Sequence, residues 1–369
     1  MNILAECEGP IKSAEGFLCE IGAHEFLSRP AARQAARFLS AFAAAGYSGK
    51  AAEIARESGA GRTAFGKFLS QGKWDESKLA SAARQRAADA SLGEAFGAGV
   101  PAVVSIDDTA CAKSRPRRGA KRPTQGAGWL YSHLEGKTVY GHQAFGAAIA
   151  AGSGPARCLE IELCGMGRSK IEMACSFAAG LPRPEGSGYA LFDSWQSCQA
   201  VVGAFQGAGW HSIGALKTNR AVVRCGAKVS IKGLAEKIGI EETCLVTAGS
   251  SRYRVFSFET PLKGIPAATV LLSWPEGAFG DMKALRAFMC TDLGLSPQEI
   301  VGLYGYRWKI ETWFRGAKTK LGLDSHMLSS QKAIKRLWIL TCLAHNRCTG
   351  IGPQAIPFGD GLRKVMVEA

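Results

Sequence analysis

The sequence has little that would place the chain in or across a membrane. Across its 369 residues no apolar run reaches the length that spans a bilayer, and residues 1–6 carry no signal-peptide pattern. These absences argue against a transmembrane helix and against a secretion signal. We therefore expect a cytoplasmic protein without a membrane partner.

Cysteine is present, but not in metal-binding patterns. The chain has 12 cysteines, yet none lies in a C-x-x-C pair, and no histidine lies at zinc-ligand spacing from a cysteine pair. A structural zinc site is therefore not expected. In a cytoplasmic chain, scattered cysteines are expected to act as small apolar fillers.

Acidic residues are too few to balance the basic ones. The 45 lysines and arginines outnumber the 31 aspartates and glutamates, which gives a formal net charge of +14. A charge of this sign and size suits a polyanionic partner such as nucleic acid. Positive charge can also serve solubility alone, so the charge by itself does not identify a partner.

The first 97 residues predict a helical region. They are rich in Ala, Arg and Lys and show no strand-like alternation. Residues 51–69 predict two short helices around Ser58–Gly61, and the second helix carries Arg62 and Lys67 beside apolar anchors. This arrangement resembles a helix-turn-helix whose second helix enters a DNA groove. Two packed helices of a small bundle would give the same pattern.

The middle of the chain predicts a mixed α/β sheet in which two strands end in acids. The β-branched run from Val103 ends in Asp107 and Asp108, and the apolar run from Tyr189 ends in Asp193. Further strands and helices are expected along the chain. The strands are 139–151, 157–164, 213–217, 243–248, 252–258 and 268–274, and the helices are 171–181, 195–208 and 331–347.

A basic loop follows the first pair of acids. It contains Pro and Gly, and its cations are Arg115, Arg117, Arg118, Lys121 and Arg122. Cations in such a loop can hold the phosphates of a nucleic acid without reading its bases. We therefore expect this loop to lie near the path of a bound polyanion.

A long helix is predicted over residues 297–321. It begins at the capping box Ser296–Glu299, with Pro297 at its first position, and Gly322 ends it. At about 100° per residue, four functional side chains fall in a stripe about 60° wide. They are Tyr304, Arg307, Glu311 and Lys318.

This stripe combines a carboxylate with two cations and a phenol. A carboxylate can hold a metal ion while the cations and the phenol hold the phosphates of DNA. The alternative is an amphipathic surface helix in which Glu311 is one end of a salt bridge. The other acids of the chain favour the first interpretation.

Two strand-end acids and one helical acid form the smallest set that could hold two divalent cations. Mg²⁺ prefers octahedral oxygen coordination and usually takes few protein carboxylates. Two such ions can activate a hydroxyl and stabilise the leaving oxygen of a phosphodiester. Carboxylates at the ends of adjacent strands converge, which suits this role. Asp193, just before Ser194, would also fit as a helix N-cap.

At this point the residues resemble a known family. The stripe matches the spacing of the Y-(2)-R-(3)-E-(6)-K signature of bacterial insertion-sequence transposases of the DDE class. Residues 106–109 are similar to the strand that carries their first catalytic Asp. Residues 191–195, followed by 214–220, are similar to the segment that carries the second. The resemblance covers about residues 40–350.

The resemblance implies an RNase H-like core interrupted by a β-rich insertion. It implies Asp108, Asp193 and Glu311 as catalytic metal ligands for two Mg²⁺ ions, for which Mn²⁺ can substitute. Asp108 is favoured over the alternative Asp107, because the relatives with the closest local sequence have the catalytic Asp directly before Thr. The implied chemistry is nicking at element ends and strand transfer into target DNA, often with a hairpin on the element end.

The resemblance also implies partners and an organisation. The partners are double-stranded DNA, both terminal inverted repeats and target, and a second copy of the chain in a synaptic homodimer associated with the bacterial nucleoid. The implied DNA contacts of the catalytic region are Tyr304, Arg307, Lys318, Lys217 and Arg220. The implied domains are a helical DNA-binding domain at 1–97, the first part of the core at 98–221, the insertion at 222–290, and helices that complete the core at 291–369.

Two other functions stay open at this stage. An RNase H-like nuclease would cut DNA without joining it, and only inverted repeats in the flanking DNA would separate it from a transposase. An inactive protein derived from a transposase could also serve as a DNA-binding module. All three acids and all four signature residues are present, so nothing in the sequence supports loss of activity.

Overall fold

The fold is that of a computed structural model, which describes residues 13–41, 50–57, 61–119, 123–132, 135–165, 167–352 and 355–368. The helices are α1 (Ala14–Glu20), α2 (Arg29–Ala41), α3 (Ala51–Glu57), α4 (Arg62–Ser70), α5 (Glu76–Gly97), α6 (Lys170–Ala179), α7 (Gln199–Gly207), α8 (Ile231–Ala235), α9 (Pro297–Gly305), α10 (Trp308–Leu321), α11 (Gln331–Thr349) and α12 (Phe358–Glu368). The strands are β1 (Ala102–Ala112), β2 (Gly128–Ser132), β3 (Lys137–Ala151), β4 (Arg157–Leu163), β5 (Gly188–Phe192), β6 (His211–Leu216), β7 (Ala221–Arg224), β8 (Ala227–Ser230), β9 (Cys244–Ala248), β10 (Ser251–Leu262), β11 (Ile265–Pro275) and β12 (Arg286–Cys290).

The chain forms two compact units. The first contains Met1–Ala98, Asp107–Ser169 and Lys309–Ala369, and the second contains Gly99–Ile106 and Lys170–Trp308. Strand β1 contributes its N-terminal half to the second unit and its C-terminal half to the first. No helix in the described part of the chain is both long and apolar enough to cross a membrane.

In the first unit, helices pack on a sheet built around β3. This strand lies between β1 and the edge strand β2, and its C-terminal half also pairs with β4. Ile310, Phe314 and Ala317 of α10 share a buried cluster with Cys111 of β1 and Ala144 of β3. Helix α10 therefore packs directly on the strands of this unit.

A buried arginine ties the N-terminal helices to α11. Arg336 is 1% exposed and donates to the Glu76 carboxylate and to the carbonyl oxygens of Leu69 and Gly72. Its guanidinium also lies 4.2 Å from the ring centroid of Trp74. A buried guanidinium is stable only when its donors are satisfied in this way. The segment that joins α4 to α5 is therefore anchored by α11.

In the second unit, a parallel strand pair continues into an antiparallel sheet. β1 pairs with β5 and β5 with β6, both in parallel. β12, β11, β10 and β9 then extend the sheet in that order. Ile300 and Leu303 of α9 are buried against Val103, Leu191 and Ile213 on this sheet. The β-rich region thus belongs to the same sheet as the strand that precedes Asp193.

The predicted fold class is confirmed: the chain is a mixed α/β protein with helices at its N-terminus and an RNase H-like core. The described residues before β1 form helices, and the strands expected from residue 139 onward are present with ends that shift by a few residues. The expected helix at 195–208 begins only at Gln199. β2, β7, β8, β12, α8 and α12 were not predicted. The domain boundaries at 97, 221 and 290 stay a prediction.

The predicted single helix over 297–321 is wrong. α9 ends at Gly305 and α10 begins at Trp308, although the capping box at Ser296 forms as predicted. At the break, the N–H of Tyr306 donates to the Leu303 carbonyl and that of Arg307 to the Tyr304 carbonyl. These are tight i−3 hydrogen bonds that end an α-helix. Glycines at 302 and 305 lower the helix propensity just before it.

One cysteine pair departs from the predicted role as apolar filler. Cys158 on β4 and Cys342 on α11 form a disulfide, with Cα atoms 5.7 Å apart. The prediction is therefore wrong for this pair, because 184 residues separate the two and their pairing depends on the packing of α11 on β4. Cys111, Cys290 and Cys348 are buried free thiols, as apolar fillers would be.

Two buried histidines predict a loss of stability in acid. Burial lowers the pKa of His345 to about 4 and, together with the charge of Lys113, lowers that of His326 to about 3. In the unfolded chain both would protonate near pH 6.5. The unfolded state then binds more protons than the folded state, so the free energy of unfolding falls as the pH drops from about 6.5 towards 4.

Urea unfolding between pH 7.5 and 5 checks this expectation. His345→Phe should flatten the pH dependence by about one proton, or about 1.4 kcal/mol per pH unit. The new ring can keep the stacking on Phe358, whose centroid lies 4.7 Å from that of His345. His24 is exposed, so His24→Phe is the control that should leave the slope unchanged. Equal slopes for wild type and His345→Phe would contradict the assignment.

Candidate active site

Asp193 lies in a tight turn at the C-terminal end of β5. The strand Gly188–Phe192 is fully buried, and the chain leaves the sheet at Asp193. Its Oδ1 accepts the backbone N–H groups of Trp195 (2.8 Å) and Gln196 (3.3 Å). Its Oδ2 has no hydrogen-bond partner among the described residues. The carboxylate is therefore oriented by one oxygen and open at the other.

The N-cap interpretation of Asp193 does not hold. Helix α7 begins at Gln199, its N-cap is Cys198, and no side chain caps it. Asp193 instead stabilises a turn that separates the strand from the helix, as Asx-turn residues do. The predicted helix start at Trp195 failed because three residues of this turn, 194–196, precede the helix.

Hydrogen bonds from two side chains stabilise the Asp193 turn. The Ser197 hydroxyl donates to the Asp193 carbonyl at 3.0 Å, and the Arg220 guanidinium donates to the Ser197 carbonyl at 2.5 Å. Gly214 on β6 leaves space for this turn, because a Cβ there would overlap Ser197 and the Phe192 ring. Arg220 is half-buried and its guanidinium stabilises this turn, and its predicted contact with DNA stays a prediction.

Two lysine ammonium groups lie near the ring of an exposed tryptophan next to Asp193. Trp195 is 55% exposed, and the ammonium groups of Lys170 and Lys217 lie 5.3 and 5.5 Å from its ring centroid. Such distances are those of cation–π contacts. Lys217 was predicted as a DNA contact. Trp195 and Lys170 were not, because nothing in their sequence spacing places them beside Lys217.

Tyr304 lies in the last turn of α9, and Arg307 lies in the break between α9 and α10, both in the second unit. The Tyr304 hydroxyl is 3.5 Å from the carbonyl oxygen of Phe192, and its ring is 4.5 Å from that of Phe288. The Arg307 guanidinium lies 5.9 Å from the Tyr304 ring centroid. The signature Tyr is therefore next to the strand end that precedes Asp193.

A cavity of about 560 Å³ opens beside this strand end. Ser194, Thr218 and Tyr304 line it together with two cations, Lys283 and Arg286. Hydroxyls and cations in one cavity are suited to an anionic group such as a phosphate. The two cations come from the β-rich region, and no motif in the sequence pointed to them.

The first pair of acids lies within a strand rather than at its end. β1 runs to Ala112, so the prediction that Asp107 and Asp108 are strand-terminal is wrong. Asp107 Oδ1 accepts the N–H of Asp108 at 2.8 Å, and Asp108 Oδ2 accepts from the Gln143 side chain. The strand continues because β1 pairs with β3, a contact between segments distant in sequence.

The C-terminal half of β1 presents one face to α10. Lys318 of α10 donates to the Thr109 hydroxyl at 2.8 Å and to the Ala110 carbonyl at 2.6 Å, and Cys111 packs under the same helix. Side chains alternate along a strand, so Asp107 shares the face of Thr109 and Cys111. Asp108 points to the opposite face, where Gln143 meets it. Packing therefore favours Asp107 as the acid on the α10 face.

Glu311 and Lys318 are on the same side of α10. Seven residues separate them, which is two turns and about 10 Å along the axis. Both are partly buried. In the first unit, the structure thus brings Lys318 to β1 and orients Glu311 along the same helix face.

Lys309 lies about 160° round α10 from Glu311, and its side chain is engaged within the first unit. Its ammonium donates to the carbonyl oxygens of Ser153 (2.7 Å) and Gly154, and burial lowers its pKa to about 8. Lys309 therefore fastens the start of α10 to the turn between β3 and β4. Lys320 is exposed, and it lies about 180° round the helix from Glu311.

The remaining predicted DNA contacts are only partly described. Arg115, Arg117 and Arg118 are exposed in the loop after β1, whereas Lys121 and Arg122 lie outside the described residues. α3 and α4 form the two short helices that were expected, with Lys67 exposed on α4. The side chain of Arg62 and the turn at 58–60 also lie outside the described residues.

Among the described residues, no three Asp, Glu, His or Cys side chains are grouped so that they could hold a metal ion. Asp108 accepts from Gln143, and Asp193 accepts from two backbone N–H groups. The metal pair stays a prediction.

Parallel β1, β5 and β6, with an acid directly after β5, belong to the RNase H-like core. Residues 167–347 match the family model described as a transposase DDE domain. The chain therefore carries a transposase domain of the DDE class, and the matched segment includes both Asp193 and Glu311. A comparison with curated proteins finds no match.

Proposed function

We propose that the chain is a DNA transposase that nicks the ends of its own element and joins them to target DNA. The observation that carries this proposal is the transposase DDE domain over residues 167–347, which contains Asp193 after a buried parallel strand and Glu311 on α10. The substrate would be double-stranded DNA, as the net charge of +14 also suggests. The active form would be a homodimer that holds two element ends.

The acids have the donor chemistry that a divalent ion requires. We propose that Asp193, Glu311 and one of the adjacent pair Asp107 and Asp108 hold two Mg²⁺ ions, with Mn²⁺ as a substitute. Carboxylate oxygens are hard ligands, and among the described residues only Oδ1 of Asp193 accepts a hydrogen bond, which fits this role. When bound, the ions would polarise the scissile phosphate and lower the pKa of the attacking hydroxyl or water.

The chain's own residues would orient the acid and the DNA. The N–H groups of Trp195 and Gln196 hold the Asp193 carboxylate in one direction. Lys283 and Arg286 line the cavity next to it and can take phosphates, as can Lys217. Because these groups are already in place, the free-energy cost of ordering the site during the reaction is lower.

The identity of the first acid is proposed from β1. Val103 pairs with Tyr189 and Ser105 with Leu191, in parallel register. Asp107 follows Ser105 by two residues within β1 and shares the strand face of Thr109, whose hydroxyl accepts from Lys318 of α10. We therefore propose Asp107, and we retain Asp108, which the resemblance to relatives favours, as the alternative.

Lys318→Ala is expected to reduce cleavage of element-end DNA by about 10-fold to 100-fold, the loss for about 1.4 to 2.7 kcal/mol of charge-assisted contact. Lys318 would hold a phosphate near Glu311, and Arg307→Ala should have a similar effect. The matched control is Lys320→Ala, because Lys320 is exposed on the opposite side of the same helix. Equal damage from Lys320→Ala, in the same nicking assay, would show that the helix acts only through its overall charge.

Two other functions would share much of this behaviour. A nuclease of the same fold would give nicked DNA without joined product. A DNA-binding protein derived from a transposase would bind element ends without nicking them. Neither is favoured by a specific contact, and the assays of nicking and joining separate all three.

A further inference from the structure

An edge strand of the first unit carries two large, exposed aromatic side chains. Trp129 is 62% exposed and Tyr131 is 54% exposed, and both belong to β2, the last strand of its sheet. They are two residues apart, so they project from the same face of the strand. Exposed rings of this size on an edge strand invite a partner, and soluble proteins usually avoid them.

The chemistry around the two rings is cationic. The Arg115 guanidinium lies 5.8 Å from the Trp129 ring centroid, and Tyr140 of β3 contacts the same ring edge-on at 5.6 Å. Arg117 and Arg118 follow Arg115 in the same exposed loop. Glu135, which follows β2, pairs with Lys137, with 3.2 Å between the charged groups. We name the set Trp129, Tyr131 and Arg115 the aromatic edge.

The spacing of the rings selects the kind of nucleic acid that fits. Two residues along a strand span about 6.8 Å. Bases stacked in a duplex are about 3.4 Å apart along each strand, so neighbouring bases of a duplex cannot both stack on these rings. An extended strand with unstacked bases doubles that distance. Aromatic platforms on sheets bind single strands in this way, with phosphates held by nearby cations.

We propose that the aromatic edge binds single-stranded DNA, with successive bases stacked on Trp129 and Tyr131 and a phosphate held by Arg115. This binding is sequence-tolerant, because every base has a face that can stack. It is an activity beyond the cleavage of duplex ends, and it does not depend on the acids. Through this site the chain binds the unpaired strands that form when a DNA end frays or is opened.

Fluorescence anisotropy with the full chain tests the proposal. The probes are labelled dT15 and a hairpin duplex that contains the same number of nucleotides. Trp129→Ala and Tyr131→Ala should each weaken binding of dT15 by about 10-fold, in line with the loss of one stacked base. Duplex binding should change by less than about 2-fold. Trp129→Phe keeps an aromatic ring and should bind dT15 nearly as tightly as the wild type. This result would show that the loss in Trp129→Ala comes from the missing ring and not from local unfolding.

Three further variants make the outcome decisive. Phe96→Ala removes an equally exposed ring, 61% accessible on α5, and should leave dT15 binding unchanged. Arg115→Ala should lower the salt slope for dT15 by about 0.7, the value for one phosphate contact on a single strand. Asp193→Asn should bind dT15 at least as tightly as the wild type does. Failure of the cleavage proposal would therefore leave this binding intact, and the reverse also holds.

The proposal is overturned if the double variant Trp129→Ala/Tyr131→Ala binds dT15 as tightly as the wild type. It is also overturned if dT15 and duplex affinity fall equally, because the patch would then be a general basic surface. Light scattering provides the third check. Loss of a dimer in the double variant, with dT15 binding unchanged, would assign the aromatic edge to a second copy of the chain.

Discussion

Asp193→Asn is expected to abolish nicking of element-end DNA, with a rate loss of at least about 1,000-fold, while DNA binding stays the same or tightens. Loss of a metal-holding carboxylate removes several kcal/mol of charge stabilisation in the transition state. Asparagine keeps an oxygen for the N–H groups of Trp195 and Gln196, so the turn should persist. Removal of a negative charge that faces phosphate explains the tighter binding.

A matched acid elsewhere in the chain controls for this substitution. Asp75 Oδ1 accepts the N–H groups of Ser77 (2.9 Å) and Lys78 (3.0 Å), the same i+2 and i+3 pattern as Asp193. Asp75→Asn should therefore leave nicking within about 2-fold of the wild type, since it removes charge from a helix cap alone. If Asp193→Asn lost binding and nicking together in a folded protein, Asp193 would be structural.

Asp107→Asn and Asp108→Asn are expected to differ. Asp107 shares the face of β1 on which Lys318 contacts Thr109, so Asp107→Asn should lose nicking about as completely as Asp193→Asn. Asp108 is engaged by Gln143 on the other face, and Asp108→Asn should lose less than about 10-fold, the cost of a weakened hydrogen bond. Nicking rates of the two variants on one substrate make the comparison. An inactive Asp108→Asn beside an active Asp107→Asn would reverse the assignment.

Local signals in the sequence predicted much of the fold. The capping box at Ser296 and the helix end at Gly322 form as expected, because both are short-range hydrogen-bond patterns. The strand before Asp193 was predicted from a continuous apolar run, which is what a parallel strand buried on both faces requires. These elements need little information from distant parts of the chain.

The break between α9 and α10 shows where such local signals fail. The four signature residues keep their spacing through the break, so an angle of 100° per residue continues to place them on one stripe. The two i−3 hydrogen bonds at Tyr306 and Arg307 end that regular geometry. Tyr304 and Arg307 therefore belong to one helix end, while Glu311 and Lys318 belong to the next helix.

Contacts between distant residues account for the other differences. Lys309 faces away from Glu311 on a helical wheel, but its ammonium donates to carbonyl groups more than 150 residues away in sequence. The group of Trp195, Lys170 and Lys217 forms only when three segments of the second unit fold together. β2 has five residues with weak alternation, and it becomes a strand through its pairing with β3. Pairing of this kind has no sequence signal of its own.

The most direct test of the central claim is a joining assay with the purified full-length chain. The substrate is DNA that carries the gene's flanking sequences, mixed with a target plasmid and Mg²⁺. We expect element 3′ ends covalently joined to the plasmid, with no product after chelation of the metal and none with Glu311→Gln. Nicked ends that never join would contradict the transposase assignment and identify a nuclease, and binding without nicking would contradict any catalytic role for these acids.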